Sequence, residues 1–572
     1  MDTERTSLNT TPYLLAVSFF TLAAPVVLYS LRFLDDNRLT RWPWVFTGVE
    51  PARILLLLIP AVMIAYAMSR VSFSGYRPVF IFISAFAVAS VFWSEPEVIV
   101  DTSRYFTQAK HLELFGVRYF FNEWGESILA WTDLPLIPFL YGVILKLFGE
   151  NRLYVQVFTA LLFSTTAVLT YLVGRILWDE DTGFNAGVLM FGMPYLLIQT
   201  PFMMVDVPTM FFMTFMVFTF LMAMEHGGAL WIVSSAAAIF FVVFCKYSTW
   251  PMLSVLLVIL AVYMRRDWKG PLAKSTVIAL LAVLFIGTVI LLKLDFFVGQ
   301  IKFLFSYQVP GLKRWGERFT STFLFQIHPF ISAAALFSLY AALRRRDPKY
   351  LIVCYLILLV FLFQVRRIRY VIPLMPMLAL MAAYGLREIR LKDVRRFIVF
   401  CIAASSLVLA VSVYLPFLQR YSTVNLREAG RYLDSLDIRE IEVFTLPQKR
   451  SFVNPAVAVP ILDLFTDKEI AYDYEVNRKF GRPIPAERLK KSSLRFTWLY
   501  KNPVYYRSGV ERPGRPGAVV VISQRVGQPL PDYVRRKVRG YRRSRVFSSA
   551  TGIFRYRTMV TVYERRGRAV KD

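Results

Sequence analysis

Residues 184–224 read FNAGVLMFGMPYLLIQTPFMMVDVPTMFFMTFMVFTFLMAM, and the only charge among them is Asp206. An uncharged run of about 17 to 25 residues is long enough to cross a hydrocarbon core of ~30 Å as a helix. Two such runs lie back to back here, one on either side of Asp206. Working outward, apolar spans recur near 12–32, 52–69, 77–93, 153–176, 184–204, 207–224, 229–245, 248–264, 275–292, 322–342, 349–365, 370–386 and 396–418. These spacings predict a polytopic α-helical membrane protein with about thirteen transmembrane helices. The segment 134–149 is apolar but short and carries Pro135, Pro138 and Lys146, so it is expected to be interfacial or re-entrant.

Composition agrees. Of 572 residues, 56% are hydrophobic and only 19% charged, whereas soluble domains average about 25% charged. The net charge of +28 is no sign of nucleic acid, because Lys and Arg concentrate in loops and in the C-terminal tail, where they meet anionic membrane lipids. Cys245, Cys354 and Cys401 all lie in apolar segments, which excludes a disulfide framework, a zinc finger and a redox motif. The N-terminus has two acidic residues and no small-residue cleavage site, so its first apolar run reads as a retained helix.

Helix counting puts the short basic loops 265–269, 344–349 and 387–396 on one side, which the positive-inside rule makes cytoplasmic. The other side receives the first large loop (94–152), the turns at Asp206 and Lys246, the loop 293–321, the arginine cluster 366–369 and the tail. Residues 1–418 are thus read as a membrane domain, and 419–572 as a small basic α/β domain. From 420 onward there are 32 Lys and Arg against 15 Asp and Glu, a net +17. An amphipathic helix is expected at 427–436 and strands at 441–445, 518–523 and 554–563.

Lone charges in apolar surroundings are the first candidates for chemistry. Asp206 is the only charge between Thr182 and Met224, and Lys246 the only one between His226 and Met264. A charge near the membrane centre costs about 2.5–3.5 kcal/mol on insertion scales, so such residues are rare. The bland readings are a helix cap for Asp206 and a snorkelling side chain for Lys246. The first loop adds Glu97, Asp101, Arg104, Tyr105 and Asp133, a set in which one carboxylate can serve as general base. Spacing does not say which, and a solvated acidic loop is the plain alternative. Finally, Arg366-Arg367-Ile368-Arg369-Tyr370 offers guanidinium forks suited to a lipid phosphate, or simply to headgroup anchoring.

Taken in order, Asp101-x-x-Arg104-Tyr105, Asp206-x-Pro208, Lys246-Tyr247 and Arg367-x-Arg369-Tyr370-x-x-Pro373-x-x-Pro376 resemble the GT-C superfamily. The resemblance is to glycosyltransferase family 39 and its relatives, the protein O-mannosyltransferases and aminoarabinose lipid A transferases, over residues 77–450. It implies a GT-C fold, a polyprenyl- or dolichyl-phosphate sugar donor, a site on the extracytoplasmic face, and inverting transfer to a glycan, lipid or protein acceptor. Under it Asp101 is the base or acceptor-orienting group and Asp206 the second catalytic aspartate. Lys246, Arg367 and Arg369 hold the donor phosphate, while Glu97, Arg104, Tyr105, Asp133, Tyr247 and Tyr370 are accessory. There are departures. Thr102 replaces the second acidic residue of many relatives, a role Glu97 could assume. Asp133-Leu134-Pro135 lacks the lysine of the aminoarabinose enzymes, and two extra helices precede the first loop. The Trp-Trp-Asp signature of oligosaccharyltransferases is missing, which argues against transfer of a whole glycan.

A lipid phosphate is already a competent leaving group, so such a reaction needs a base, cationic support and orientation. No Gly-rich phosphate loop is present, and His111, His226 and His328 form no metal-like pair. No cofactor is obligatory, although the acidic first loop leaves room for a divalent cation. The rival reading is a polytopic transporter or lipid-linked-sugar flippase, which predicts internal repeats with matching broken helices; none is visible. A non-catalytic scaffold in envelope assembly is the third. The tail carries no retention signal, which points to a plasma (inner) membrane of prokaryotic type, with active site and C-terminal domain extracytoplasmic.

Overall fold

The computed structural model describes residues 10–35, 50–95, 97–308, 318–480, 484–490, 492, 494–506, 515–549 and 556–565. Among these, eight helices are long and apolar enough to cross a membrane, and four further apolar helices are shorter. The chain is a multi-pass membrane protein. The span Ile368–Leu386 is 89% buried and forms the centre of the bundle, whereas Lys269–Leu292, only 11% buried, turns its side chains outward.

The elements that position the site are α1 (Arg77–Ser90), α2 (Ile99–Glu123), α3 (Leu136–Phe148), α4 (Arg152–Leu177), α5 (Glu180–Leu189), α6 (Asp206–His226), α7 (Ala229–Cys245), α8 (Met375–Leu386) and α9 (Lys392–Leu409). Two expected spans resolve differently. Residues 184–204 are not one helix: α5 ends, a tight turn covers Met190–Gly192, and the six-residue helix Pro194–Gln199 leads into an irregular stretch. Pro194 lacks the N–H that would continue the helical ladder. The helix expected at 322–342 starts only at Pro329, after a wide turn over Ser321–Gln326. The segment 134–149 contains α3, whose thirteen residues give a length of about 20 Å, short of the ~30 Å core.

Helices α4 and α5 pack through paired glycines. A Cβ on Gly174 would lie 2.7 Å from the Cα of Gly183, so only small residues permit this approach. At that end of the bundle Trp178 Nε1 donates to Asp347 at 2.9 Å. Arg387 pairs with Asp179 at 3.1 Å and Arg345 with Glu388 at 2.7 Å. The loops 344–349 and 387–396 therefore meet at one end, as helix counting expected.

After the last membrane helix, α10 (Val424–Asp434) covers the amphipathic segment expected at 427–436. A five-stranded sheet follows, built from β1 (Glu440–Thr445), β2 (Glu469–Ala471), β3 (Ala518–Ser523), β4 (Tyr541–Phe547) and β5 (Met559–Arg565) in the order β2-β1-β3-β5-β4. β1 runs parallel to β2 and β3, and β5 runs antiparallel to β3 and β4. β3 is buried on both faces, which explains its unbroken apolar run Ala-Val-Val-Val-Ile. The strand expected at 554–563 is β5, beginning at Met559; residues 550–555 lie outside the described residues. β2 is only three residues long, and β4 is an edge strand whose exposed Arg542, Arg543 and Arg545 hide its strand character while blunting the edge. The sheet domain rests on α2: Val100 and Trp131 pack against its core, and Lys110 Nζ lies 2.9 Å from both Asp463 and Glu150.

Candidate active site

Two carboxylates are presented from helix starts. Asp101 lies in the first turn of α2 and Asp206 in the first turn of α6, where the helix dipole favours negative charge. The irregular stretch before α6 must have its backbone groups satisfied inside the protein. Glu97 accepts from the Met203 N–H at 3.0 Å, Gln156 Nε2 donates to Pro201 O at 3.2 Å, and the Tyr141 hydroxyl donates to Met204 O at 2.6 Å. Pro208 falls in the first turn of α6, where its missing N–H leaves no gap. Asp206 is held there, fully buried.

Lys246 follows the last residue of α7 in extended conformation. The terminal carbonyls of α7 are closed by Thr249 Oγ1, which donates to Val242 O at 3.0 Å, and by Trp250 Nε1, which donates to Val243 O at 2.9 Å. Arg369 belongs to a single helical turn, Ile368–Val371, that precedes α8 and carries Arg367 at its cap.

These residues form one chain of charges alternating in sign. Lys246 Nζ stands 2.6 Å from Asp206 Oδ1. Arg369 donates from Nε to Asp206 Oδ2 at 3.0 Å, and its Nη1 donates to Asp101 Oδ2. Asp101 Oδ1 accepts from Arg104 Nη2 at 2.8 Å, and Arg104 Nη1 lies 3.1 Å from Asp133 Oδ2. Gln108 Nε2 donates to the same Asp133 oxygen at 3.3 Å. Asp206 is closed off at 0% side-chain exposure, whereas Asp101 and Lys246 are each 16% exposed and Arg369 is 11% exposed. Arg367 is buried nearby, and its charge acts on Asp101. Lys246, Arg367, Arg369 and Arg104 outnumber Asp101, Asp206 and Asp133 by one, which suits an anionic ligand.

The field shifts the two carboxyls outside the membrane spans in opposite directions. Burial pushes Asp101 up, but the Arg369, Arg104 and Arg367 guanidiniums outweigh it and hold the carboxyl well below the usual range. For Asp133 burial dominates; Arg104 pulls down and the charge of Asp101 pushes up, and the result is a value of about 6.

The structure thus gathers Asp101, Arg104, Asp133, Asp206, Lys246 and Arg369. The Tyr370 ring lies 4.8 Å from Lys246 Nζ and the Tyr105 ring 5.3 Å from Arg104 Cζ. Tyr247 sits apart, its hydroxyl donating to Gln300 at 3.2 Å. Glu97 also stays outside the chain of charges. Its carboxylate accepts from Arg152 at 2.7 Å, from Thr102 Oγ1 at 3.0 Å and from the Met203 amide, so it anchors backbone. Sequence reasoning missed Gln108 and Phe496. Gln108 was legible, since it lies four residues after Arg104 on the same face of α2. Phe496 was not: it comes from the C-terminal domain, its ring 5.0 Å from Arg104 Cζ and 5.7 Å from Trp131. Among the described residues no group of three or more His, Cys, Asp or Glu side chains is placed to hold a metal ion.

The sequence profile of the dolichyl-phosphate-mannose-protein mannosyltransferase family matches residues 133–291, a segment containing Asp133, Asp206 and Lys246. No curated protein sequence matches the chain. Among solved structures, ArnT from Cupriavidus metallidurans bound to undecaprenyl phosphate aligns with a TM-score of 0.51 at 15% identity, covering 85% of this chain and 97% of that one. The apo form of ArnT gives 0.50 at 13% identity over the same shares, 85% and 97%. The archaeal oligosaccharyltransferase AglB from Archaeoglobus fulgidus, in complex with an inhibitory peptide and a dolichol-phosphate, reaches 0.45 at 12% identity over 79% of this chain and 70% of that one. At such identities the likeness to ArnT is one of fold. The chain is therefore a multi-pass membrane protein that shares the fold of ArnT and is similar, over residues 133–291, to the dolichyl-phosphate-mannose-protein mannosyltransferase family.

Proposed function

We propose that the chain is a membrane glycosyltransferase that moves one sugar from a polyprenyl- or dolichyl-phosphate donor to an acceptor hydroxyl on the extracytoplasmic face, with inversion. The observation that carries this reading is the chain Lys246–Asp206–Arg369–Asp101–Arg104–Asp133, which with the adjacent Arg367 holds one more cation than carboxylates and is partly exposed at Asp101 and Lys246. The ArnT structure named above holds undecaprenyl phosphate, and the same class of carrier fits the excess of guanidinium and ammonium groups here.

In the proposed step the acceptor oxygen attacks the anomeric carbon from the face opposite the phosphate. The bond from that carbon to the phosphate oxygen breaks, and its electron pair leaves with the phosphate. Lys246, Arg367 and Arg369 stabilise the charge that accumulates there. The acceptor proton passes to Asp101. With both carboxylate oxygens held by arginines, Asp101 is a weak base. A donor phosphate that engages Arg369 frees Asp101 Oδ2 and raises its basicity when the acceptor is in place. Asp206 keeps Arg369 and Lys246 aligned.

The test is covalent transfer. Membranes containing the wild-type protein, given a radiolabelled polyprenyl-phosphate sugar and a crude envelope acceptor fraction, should form labelled product. Asp101→Asn should reduce the rate by about 10²–10⁴-fold, the range for loss of a general base. Vectorial movement of label into vesicles without any covalent product would overturn the proposal in favour of a transporter.

A further inference from the structure

At the end of the bundle opposite the chain of charges, about 40 Å away along the 26 residues of α4, a polar cavity of about 190 Å³ opens between α1, α5 and α9. Four cations line it, Arg77, Lys392, Arg395 and Arg396, against two carboxylates, Asp181 and Asp393. Asp393 is engaged by Arg70 at 2.9 Å. Asp181 serves three cations at once: Arg77 at 2.9 Å, Lys392 at 3.5 Å and Arg395 at 3.6 Å.

The arrangement is more than a basic loop at a membrane face. The Arg77 and Arg395 side chains are only 12% and 11% exposed, and Arg77 Cζ is set 5.4 Å from the Phe184 ring. Arg77 Nη1 and Arg395 Nε are shielded from solvent with no hydrogen-bond partner among the described residues. Guanidinium N–H groups withdrawn from water without an acceptor are costly. The helices α1 and α9 begin at this cavity and neither takes a side-chain cap, so their positive dipole ends add to the field. Fixed planar forks, an excess of two positive charges and a side-chain amide from Asn185 match the several oxygens of a phosphate.

We propose that this cavity binds a phosphate group, either of an anionic lipid headgroup or free, at the membrane face opposite the proposed sugar transfer. The full-length protein in phosphatidylcholine nanodiscs, with and without phosphatidic acid, tests the lipid source by thermal unfolding. Inorganic phosphate added to the phosphatidylcholine sample tests the free anion. A midpoint that rises with phosphatidic acid alone assigns a headgroup; a rise with inorganic phosphate as well assigns a site for the bare anion. In either case Arg395→Gln should weaken the apparent affinity about tenfold or more, as expected for one lost charge-assisted contact. Lys392→Gln, at an exposed position, should weaken it less. If Arg395→Gln does not fold, Arg395→Lys, which keeps the charge and loses the fork, gives the same reading. No rise with either probe, or an equal rise in the wild type and in the Arg395 and Lys392 variants, would overturn the proposal.

Discussion

Arg369 and Asp206 stand 163 positions apart in the chain and meet with Arg369 Nε donating to Asp206 Oδ2 at 3.0 Å. The same guanidinium also reaches Asp101 on α2. One side chain, on the turn before α8, therefore joins the starts of α2 and α6, and its planar fork contacts both carboxylates.

Arg369→Lys keeps the charge and loses that fork. Sugar transfer should fall by about 10²–10³-fold, the scale of losing one preorganised donor to a developing anion. Arg369→Ala should also lower the thermal midpoint, because it leaves the buried Asp206 and the partly buried Asp101 each short of a partner. Steady-state transfer rates and thermal unfolding of the two variants check this.

Glu97 and Asp101, four positions apart, should behave differently. Glu97→Ala leaves Arg152 buried and unpaired and removes the acceptor of the Met203 amide. The expected loss is about 3–5 kcal/mol of stability, as for breaking a buried ion pair. Asp101→Asn should leave the unfolding midpoint much closer to wild type while transfer collapses. Equal destabilisation of both would remove the distinction.

Transfer should also depend on Asp133. With its carboxyl raised to about 6 by burial, Asp133 takes up a proton as pH falls through that value, and Arg104 then retains only Asp101. The rate should fall on the acid side with an apparent pKa near 6, and Asp133→Asn should flatten that limb at the low-pH level. The stability sign is the reverse of the usual carboxylate case. The folded state holds the proton more tightly, so the contribution is complete below the unfolded value of ~3.9 and is lost as pH rises through about 6.

Lys110 sits between Glu150 and Asp463, tying α2 to the sheet domain. Burial first, and then the charge of Asp463, push Glu150 up to about 8, against the pull of Lys110. Its contribution to stability is therefore complete below the ordinary glutamate value of ~4.3 and lost as pH rises through about 8. Wild-type stability should decline over this window, and Glu150→Gln should show a flatter profile when unfolding is followed across it.

The site was legible in the sequence where chemistry stood out against an apolar background. Asp206 and Lys246 are lone charges at helix ends, and helix parity put both on the face of the first loop; the 2.6 Å contact between them needs no further signal. The arginine cluster was legible as a cluster but not by member. Arg366 is exposed, whereas Arg367 and Arg369 are buried at the short helical turn Ile368–Val371. The break at Pro194 was readable as a proline in an apolar run, but not the loop after it, whose backbone is satisfied by Glu97, Tyr141 and Gln156 from three other segments. Contacts of that kind, like Lys110 with Asp463 across 353 positions, leave no periodicity to read. The edge strand β4 was hidden for the opposite reason, since its arginines are what an edge requires.

Native mass spectrometry of the purified protein with undecaprenyl phosphate measures whether the chain of charges is a donor-phosphate site. The wild type should retain one carrier molecule, with retention reduced at least about tenfold in Arg369→Ala and in Lys246→Ala, the loss expected for one charge-assisted contact. Equal retention by the wild type and both variants, or none by the wild type, would contradict a donor-phosphate role for Arg369 and Lys246.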